Sequence, residues 1–78
     1  MSNNIVKTQD VLNSSMIKQL AYTEAGDLLV TFNRGIQYLY RGVPVEKYDE
    51  MIKAESVGKY LKSNIEKQYV FEKIEIQP

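Results

Sequence analysis

One stretch decides the fold of this chain: GIQYLYRGVP, which spans residues 35–44. It places Tyr38 and Tyr40 two residues apart, so both side chains lie on one face of a predicted strand. Gly35 belongs to the turn that precedes this strand, and Pro44 is suited to the first position of a following helix. The stretch therefore predicts the second half of a β-hairpin that leads directly into a helix.

The turn at Asn33-Arg34-Gly35 sets the register of this hairpin. If the loop has three residues with Gly35 left-handed, the tyrosines share a face with the alternating apolar residues of the preceding strand, residues 28–32. A two-residue loop at Arg34-Gly35 would shift the pairing by one residue and move the tyrosines to the opposite face. Arginine is poorly suited to the positive φ of that shorter loop, so we expect the first register. It pairs Phe32 with Ile36, Val30 with Tyr38 and Leu28 with Tyr40.

The remaining elements complete an α+β domain. An earlier strand ends in the alternating pair Leu20 and Tyr22, and a turn at Gly26 joins it to the hairpin. Two helices follow, and Ser56 is the expected N-cap of the second. Their apolar stripes are Val45, Tyr48 and Ile52 in the first helix, and Val57, Leu61 and Ile65 in the second. We predict a three-stranded antiparallel β-meander followed by two short α-helices packed on its apolar face.

The two ends of the chain are less regular than its centre. Residues 1–13 are expected to form an N-terminal arm, although the apolar pair Ile5-Val6 leaves an extra edge strand as the alternative. The α+β domain itself is expected over residues 14–69. Residues 70–78 alternate at Ile74 and Ile76, which predicts either a tail or a final edge strand.

Composition excludes several classes of function. The chain of 78 residues has no cysteine and no histidine, so it lacks thiolate ligands, the commonest metal ligand and the usual general base. We therefore expect no enzymatic activity and no cofactor or metal. The formal net charge is zero, which argues against duplex DNA as a partner but not against a single nucleotide or a short strand. Without an apolar run near ~20 residues or a signal peptide, we expect a cytoplasmic protein with no membrane partner.

Three short motifs follow one another along the chain: VLNSSMI at residues 11–17, the Tyr38-Leu39-Tyr40 run, and AESVGKYL at residues 54–61. Their order and spacing resemble those of the KTSC domain, a small module also found at the C-terminus of some lysyl-tRNA synthetases. The resemblance spans about residues 11–74. Two positions depart from the family pattern: Ala21, where a glycine is frequent, and Glu66, where a basic residue is frequent. The resemblance implies RNA binding, because of the fusion to a tRNA synthetase.

Two groups of residues are candidates for that role. Tyr38 and Tyr40 are candidates for stacking on bases, with Arg41 beside them to contact phosphate, and Arg34 would extend this basic edge. The alternative is that both tyrosines are core residues under the helices and that the arginines are solvated, and the register favours a core position for the rings.

Ser56, Gly58 and Lys59 are candidates for an anion site at the start of the second helix. The helix terminus offers unpaired N–H groups, the glycine permits close approach, and Lys59 and Lys62 supply positive charge. The alternative for Gly58 is close packing of the helix on a neighbouring element. Glu66 weakens any phosphate site at the other end of this helix.

These features predict a non-enzymatic small binding module for RNA or a nucleotide-like ligand. Its expected ligand-binding residues are Tyr38, Tyr40, Arg41, Ser56, Gly58 and Lys59. The alternative function is a self-associating protein–protein interaction module, because a small meander has unpaired edges and apolar pairs lie at both ends of the chain. The two can combine in a homo-oligomer that sequesters a small nucleotide signal.

Overall fold

The computed structural model describes residues 4–12 and 14–75 and shows an α+β fold with one five-stranded antiparallel sheet. The strands are β1 (Ile5–Asp10), β2 (Ile17–Thr23), β3 (Leu28–Phe32), β4 (Ile36–Tyr40) and β5 (Phe71–Glu75). They lie side by side in chain order, so every pairing joins sequence neighbours except that two helices separate β4 from β5. Among the described residues, no helix is long and apolar enough to cross a membrane.

The predicted hairpin register is confirmed. Strands β3 and β4 pair Val30 with Tyr38 and Leu28 with Tyr40. Gly35 has a φ of +86°, and its N–H donates to the carbonyl of Phe32 at 3.1 Å. The positive φ that glycine alone adopts without strain therefore closes the turn and fixes which face the tyrosines occupy.

The sheet has five strands where the sequence predicted three with a possible extra one. Residues 5–10 form the edge strand β1, which pairs with β2; the edge-strand alternative, and not the arm, is therefore correct for these residues. All six side chains of β1 are exposed. Because neither face of this strand is buried, its sequence lacks the alternation of apolar and polar residues that indicates a strand. At the other end β5 pairs with β4, which is the strand alternative for the C-terminal residues. Residues 1–3 and 13 of the predicted arm, and residues 76–78 of the predicted tail or edge strand, lie outside the described residues.

Two short helices pack on one face of the sheet. Helix α1 (Val45–Lys53) begins one residue later than predicted, because Pro44 is extended and occupies the N-cap position. Helix α2 (Val57–Tyr60) has Ser56 as its N-cap, as predicted, and continues into a π-helical turn, Leu61–Ile65. The core between helices and sheet consists of Ile17, Leu20, Tyr22, Leu28, Val30, Tyr40, Val43, Tyr48, Met51, Leu61 and Ile65.

Candidate functional site

Two depressions lie side by side where the start of β2 meets α2 and the π-helical turn. The larger is a groove of about 680 Å³ between the β1–β2 connection and the α1–α2 connection. Its walls include three of the residues predicted to bind a ligand, namely Ser56, Gly58 and Lys59, together with Lys62. The N-terminal end of α2 therefore faces the residues of the β1–β2 connection across this groove.

The polar residues that line this groove include the capping serine and two lysines, together with the carboxylates of Asp10 and Glu55. Ser56 Oγ accepts a hydrogen bond from the backbone N–H of Lys59 at 3.3 Å, which satisfies one free donor of the helix start. The hydroxyl proton of Ser56 remains available to donate to an anion. The side chains of Lys59 and Lys62 are exposed, and neither is in a salt bridge within residues 4–12 and 14–75.

Gly58 has a packing explanation. It is buried, and a Cβ added there would lie 2.9 Å from the terminal methyl of Met16, at the entry to β2. The absence of a side chain thus lets Met16 pack against α2, which is the alternative considered for this glycine. The α2 segment has only four residues, so its dipole adds little positive potential.

The second depression is an aromatic cavity of about 320 Å³. It is lined by Tyr38 and Tyr40, and also by the charged residues Arg34 and Glu66. The two depressions share three lining residues, Ser15, Met16 and Lys62. They are therefore adjacent parts of one continuous surface, which we call the Lys62 surface.

The two tyrosines differ in exposure. Tyr40 is 0% exposed, and burial raises the pKa of its hydroxyl to about 12, to which the negative charge of Glu66 and the nearby Tyr38 add. Tyr38 is half-buried, and the ring of Phe71 from β5 stacks on it at a centroid distance of 4.6 Å. Tyr40 is thus part of the core in this conformation, and it offers no ring face for a base to stack on.

Arg41 does not join the other predicted site residues. Its guanidinium lies 2.8 Å from a carboxylate oxygen of Glu72 and 3.8 Å from one of Asp27. The hydrogen bond that the Arg41 guanidinium donates to the carboxylate of Glu72 is the main cause that raises the pKa of Arg41. Arg41 lines neither depression, whereas Arg34, its predicted partner in a basic edge, lines the second one.

The sequence reasoning missed several residues of the Lys62 surface. Ser15 and Met16 line both depressions but had no assigned role, because only their contact with a helix distant in sequence reveals it. Phe71 was also missed, although the apolar character of the C-terminal segment was a signal for a strand that could bring an aromatic ring to the sheet. Among the described residues, no cluster of acidic residues has the arrangement of a metal site.

Comparison with known proteins identifies one family. The family model of the KTSC domain matches residues 13–69. Among solved structures, the chain is similar to a crystal structure of a KTSC domain protein from Yersinia pestis, with a TM-score of 0.79 and 28% sequence identity. That match covers 87% of this chain and 96% of the other. A search of curated proteins finds no match.

Proposed function

Because the chain belongs to the KTSC domain family, and because its aromatic cavity adjoins its lysine-lined groove, we propose that it is a non-enzymatic module that binds RNA or a nucleotide-like ligand. The observation that carries the proposal is the shared wall of Ser15, Met16 and Lys62. It places apolar and aromatic surface next to unpaired cations, as recognition of bases and phosphates requires.

The Lys62 surface carries both signs of charge: its cations are Arg34, Lys59 and Lys62, and its carboxylates are Asp10, Glu55 and Glu66. Lys59 and Lys62 line the groove without a salt bridge in the described part of the chain, which leaves both ammonium groups able to contact phosphate. Glu66 is the acidic residue of the cavity, at a position where the resemblance to the KTSC family implies a basic residue. We therefore assign phosphate contacts to Lys59 and Lys62, with Ser56 as a hydrogen-bond donor, and we assign the base to the aromatic side.

A titration of short single-stranded RNA, read by fluorescence anisotropy at several salt concentrations, tests this function. We expect Lys62→Ala to weaken binding and to reduce the slope of log K against log salt by about 0.7, the value for one lost phosphate contact with a single strand. The matched control is Lys47→Ala on α1, which removes a lysine that lines neither depression.

Equal binding by Lys62→Ala and wild type would contradict the assignment of this surface. Native mass spectrometry of the wild type against short RNAs, mononucleotides and cyclic dinucleotides tests the ligand class in the same way. Failure of all of them to bind would contradict the function itself.

A second candidate function is self-association, and the exposed sheet edges favour it. The outer sides of β1 and β5 have no strand partner within the described residues. Ile5 and Val6 on β1 are 44% and 56% exposed, and Ile74 on β5 is 40% exposed. Such edges can pair with a second copy, which would allow a nucleotide to be held between copies in a homo-oligomer. A monomeric mass at every concentration in the same native spectra would contradict this candidate.

A further inference from the structure

Aromatic rings from three neighbouring strands form a row on the helix-facing side of the sheet. Phe32 of β3 meets Tyr38 of β4 edge-on at 5.0 Å, and Phe71 of β5 stacks on Tyr38 at 4.6 Å with 26° between the ring planes. Because β3 and β5 flank β4, the two phenylalanines approach Tyr38 from opposite sides. Tyr38 is therefore an inner ring of the row, and Phe71 is its outer end.

The outer ring is the exposed one. Phe71 is 42% exposed, whereas Tyr40, which it also contacts at 5.4 Å, is 0% exposed. No further strand covers β5 in the part of the chain that the structure describes. The sequence predicted an exposed aromatic surface at Tyr38 and Tyr40, and the exposed ring of this row is Phe71 instead.

A cation lies beside this ring. Lys73 pairs with Tyr38 across the β4–β5 ladder, and it shares a face with Phe71 because it is two residues further along the strand. Its side chain is exposed, and it forms no salt bridge within residues 4–12 and 14–75. A flat apolar ring with a free ammonium group next to it suits a base and its phosphate better than it suits an aliphatic partner.

We propose that Phe71 is the stacking platform for a base of single-stranded RNA, with Lys73 contacting the adjoining phosphate. This inference rests on the proposed function, and it extends the Lys62 surface onto β5, outside the matched residues 13–69. Tyr38, whose ring stacks on Phe71, also lines the aromatic cavity. A bound RNA strand would therefore run from β5 across Tyr38 toward Lys62.

The test compares Phe71→Leu, Phe71→Trp and Ile74→Ala with the wild type. Leucine keeps an apolar side chain at the edge but removes the flat face, so we expect short oligouridine to bind about 5- to 150-fold more weakly, the range for one lost stacked base. Tryptophan keeps the face, and the chain has no other tryptophan, so its fluorescence should be quenched as RNA is added. Ile74→Ala is the matched control, because it is similarly exposed on β5 but faces the opposite side of the sheet.

The outcomes separate this inference from the proposed function. Full binding of RNA by Phe71→Leu, with wild-type binding present, would overturn the role of Phe71 and leave the function standing. An abasic oligonucleotide should bind the wild type and Phe71→Leu equally, because it has phosphates but no base to stack. If the tryptophan emission changes with protein concentration and not with RNA, Phe71 is a contact between copies and the inference is wrong.

Discussion

The cationic side chains at two places on this domain differ in whether a carboxylate pairs with them. At the Arg41 corner, defined as Asp27, Arg41 and Gly42, the carboxylate of Asp27 is buried and accepts the backbone N–H of Gly42 at 2.9 Å. Arg41 lies beside it and also contacts Glu72. In the groove, Lys59 and Lys62 have no such carboxylate partner among the described residues.

The difference teaches how a predicted binding cation is to be judged. The sequence made Arg41 and Lys59 equal candidates for contact with an anionic ligand. In the structure, the turn after β4 places the guanidinium of Arg41 next to the carboxylates of Asp27 and Glu72. Lys59 follows a capping serine and points into a groove. The corner is thus expected to affect stability, and the groove is expected to affect binding.

Asp27→Ala should have the largest effect. The change removes a buried carboxylate that accepts the Gly42 N–H, and hydrogen bonds to charged groups contribute about 1.5–3 kcal/mol. We expect the free energy of unfolding in urea to fall by that amount. Asp27→Asn keeps an oxygen acceptor and should lose less. Equal losses in both variants would show that the acceptor for Gly42 is not what the corner depends on.

Tyr22→Phe should have an intermediate effect. The hydroxyl of Tyr22 donates to the buried carbonyl of Val43, which ties β2 to the chain just beyond the corner. Its loss should lower the free energy of unfolding by about 1 kcal/mol, while the ring keeps its contact with Tyr48. The control is Tyr69→Phe, whose hydroxyl makes no side-chain hydrogen bond in the described structure. A similar loss in the control would mean that the effect does not come from the Val43 bond.

Arg41→Gln and Lys59→Gln form a matched pair with the smallest effect on stability. Arg41→Gln removes the exposed pair with Glu72, which contributes about 0–1 kcal/mol, while the buried Asp27 keeps the hydrogen bond from Gly42. The free energy of unfolding should therefore fall by about 1 kcal/mol or less, and RNA binding should be unchanged. Lys59→Gln should leave the unfolding transition in place and weaken RNA binding. Weakening of RNA binding by Arg41→Gln to the same degree would remove the distinction between corner and groove.

The central fold could be predicted because its signals are local. The left-handed glycine at position 35, the alternation of β3 and β4 and the Ser56 cap each depend on a few neighbouring residues. Strand β1 was predicted only as the alternative to an arm, because its side chains are all exposed and it is held by backbone pairing with β2. Contacts between residues far apart in the sequence were not predicted either. The residues next to Gly58 do not indicate that Met16 packs on it, and those next to Arg41 do not indicate its pair with Glu72.

The chain-order arrangement of the sheet has a consequence for how it opens. An edge strand can detach without disturbing any pairing except its own, so β1 and β5 can open while β2, β3 and β4 stay together. Local opening should therefore be easiest at the two edges and hardest at β3. A ligand that binds only the closed form of β5 shifts this equilibrium by mass action. If RNA binds at Phe71, its binding would raise the population in which β5 is paired with β4. Removal of the RNA would let this edge strand open again.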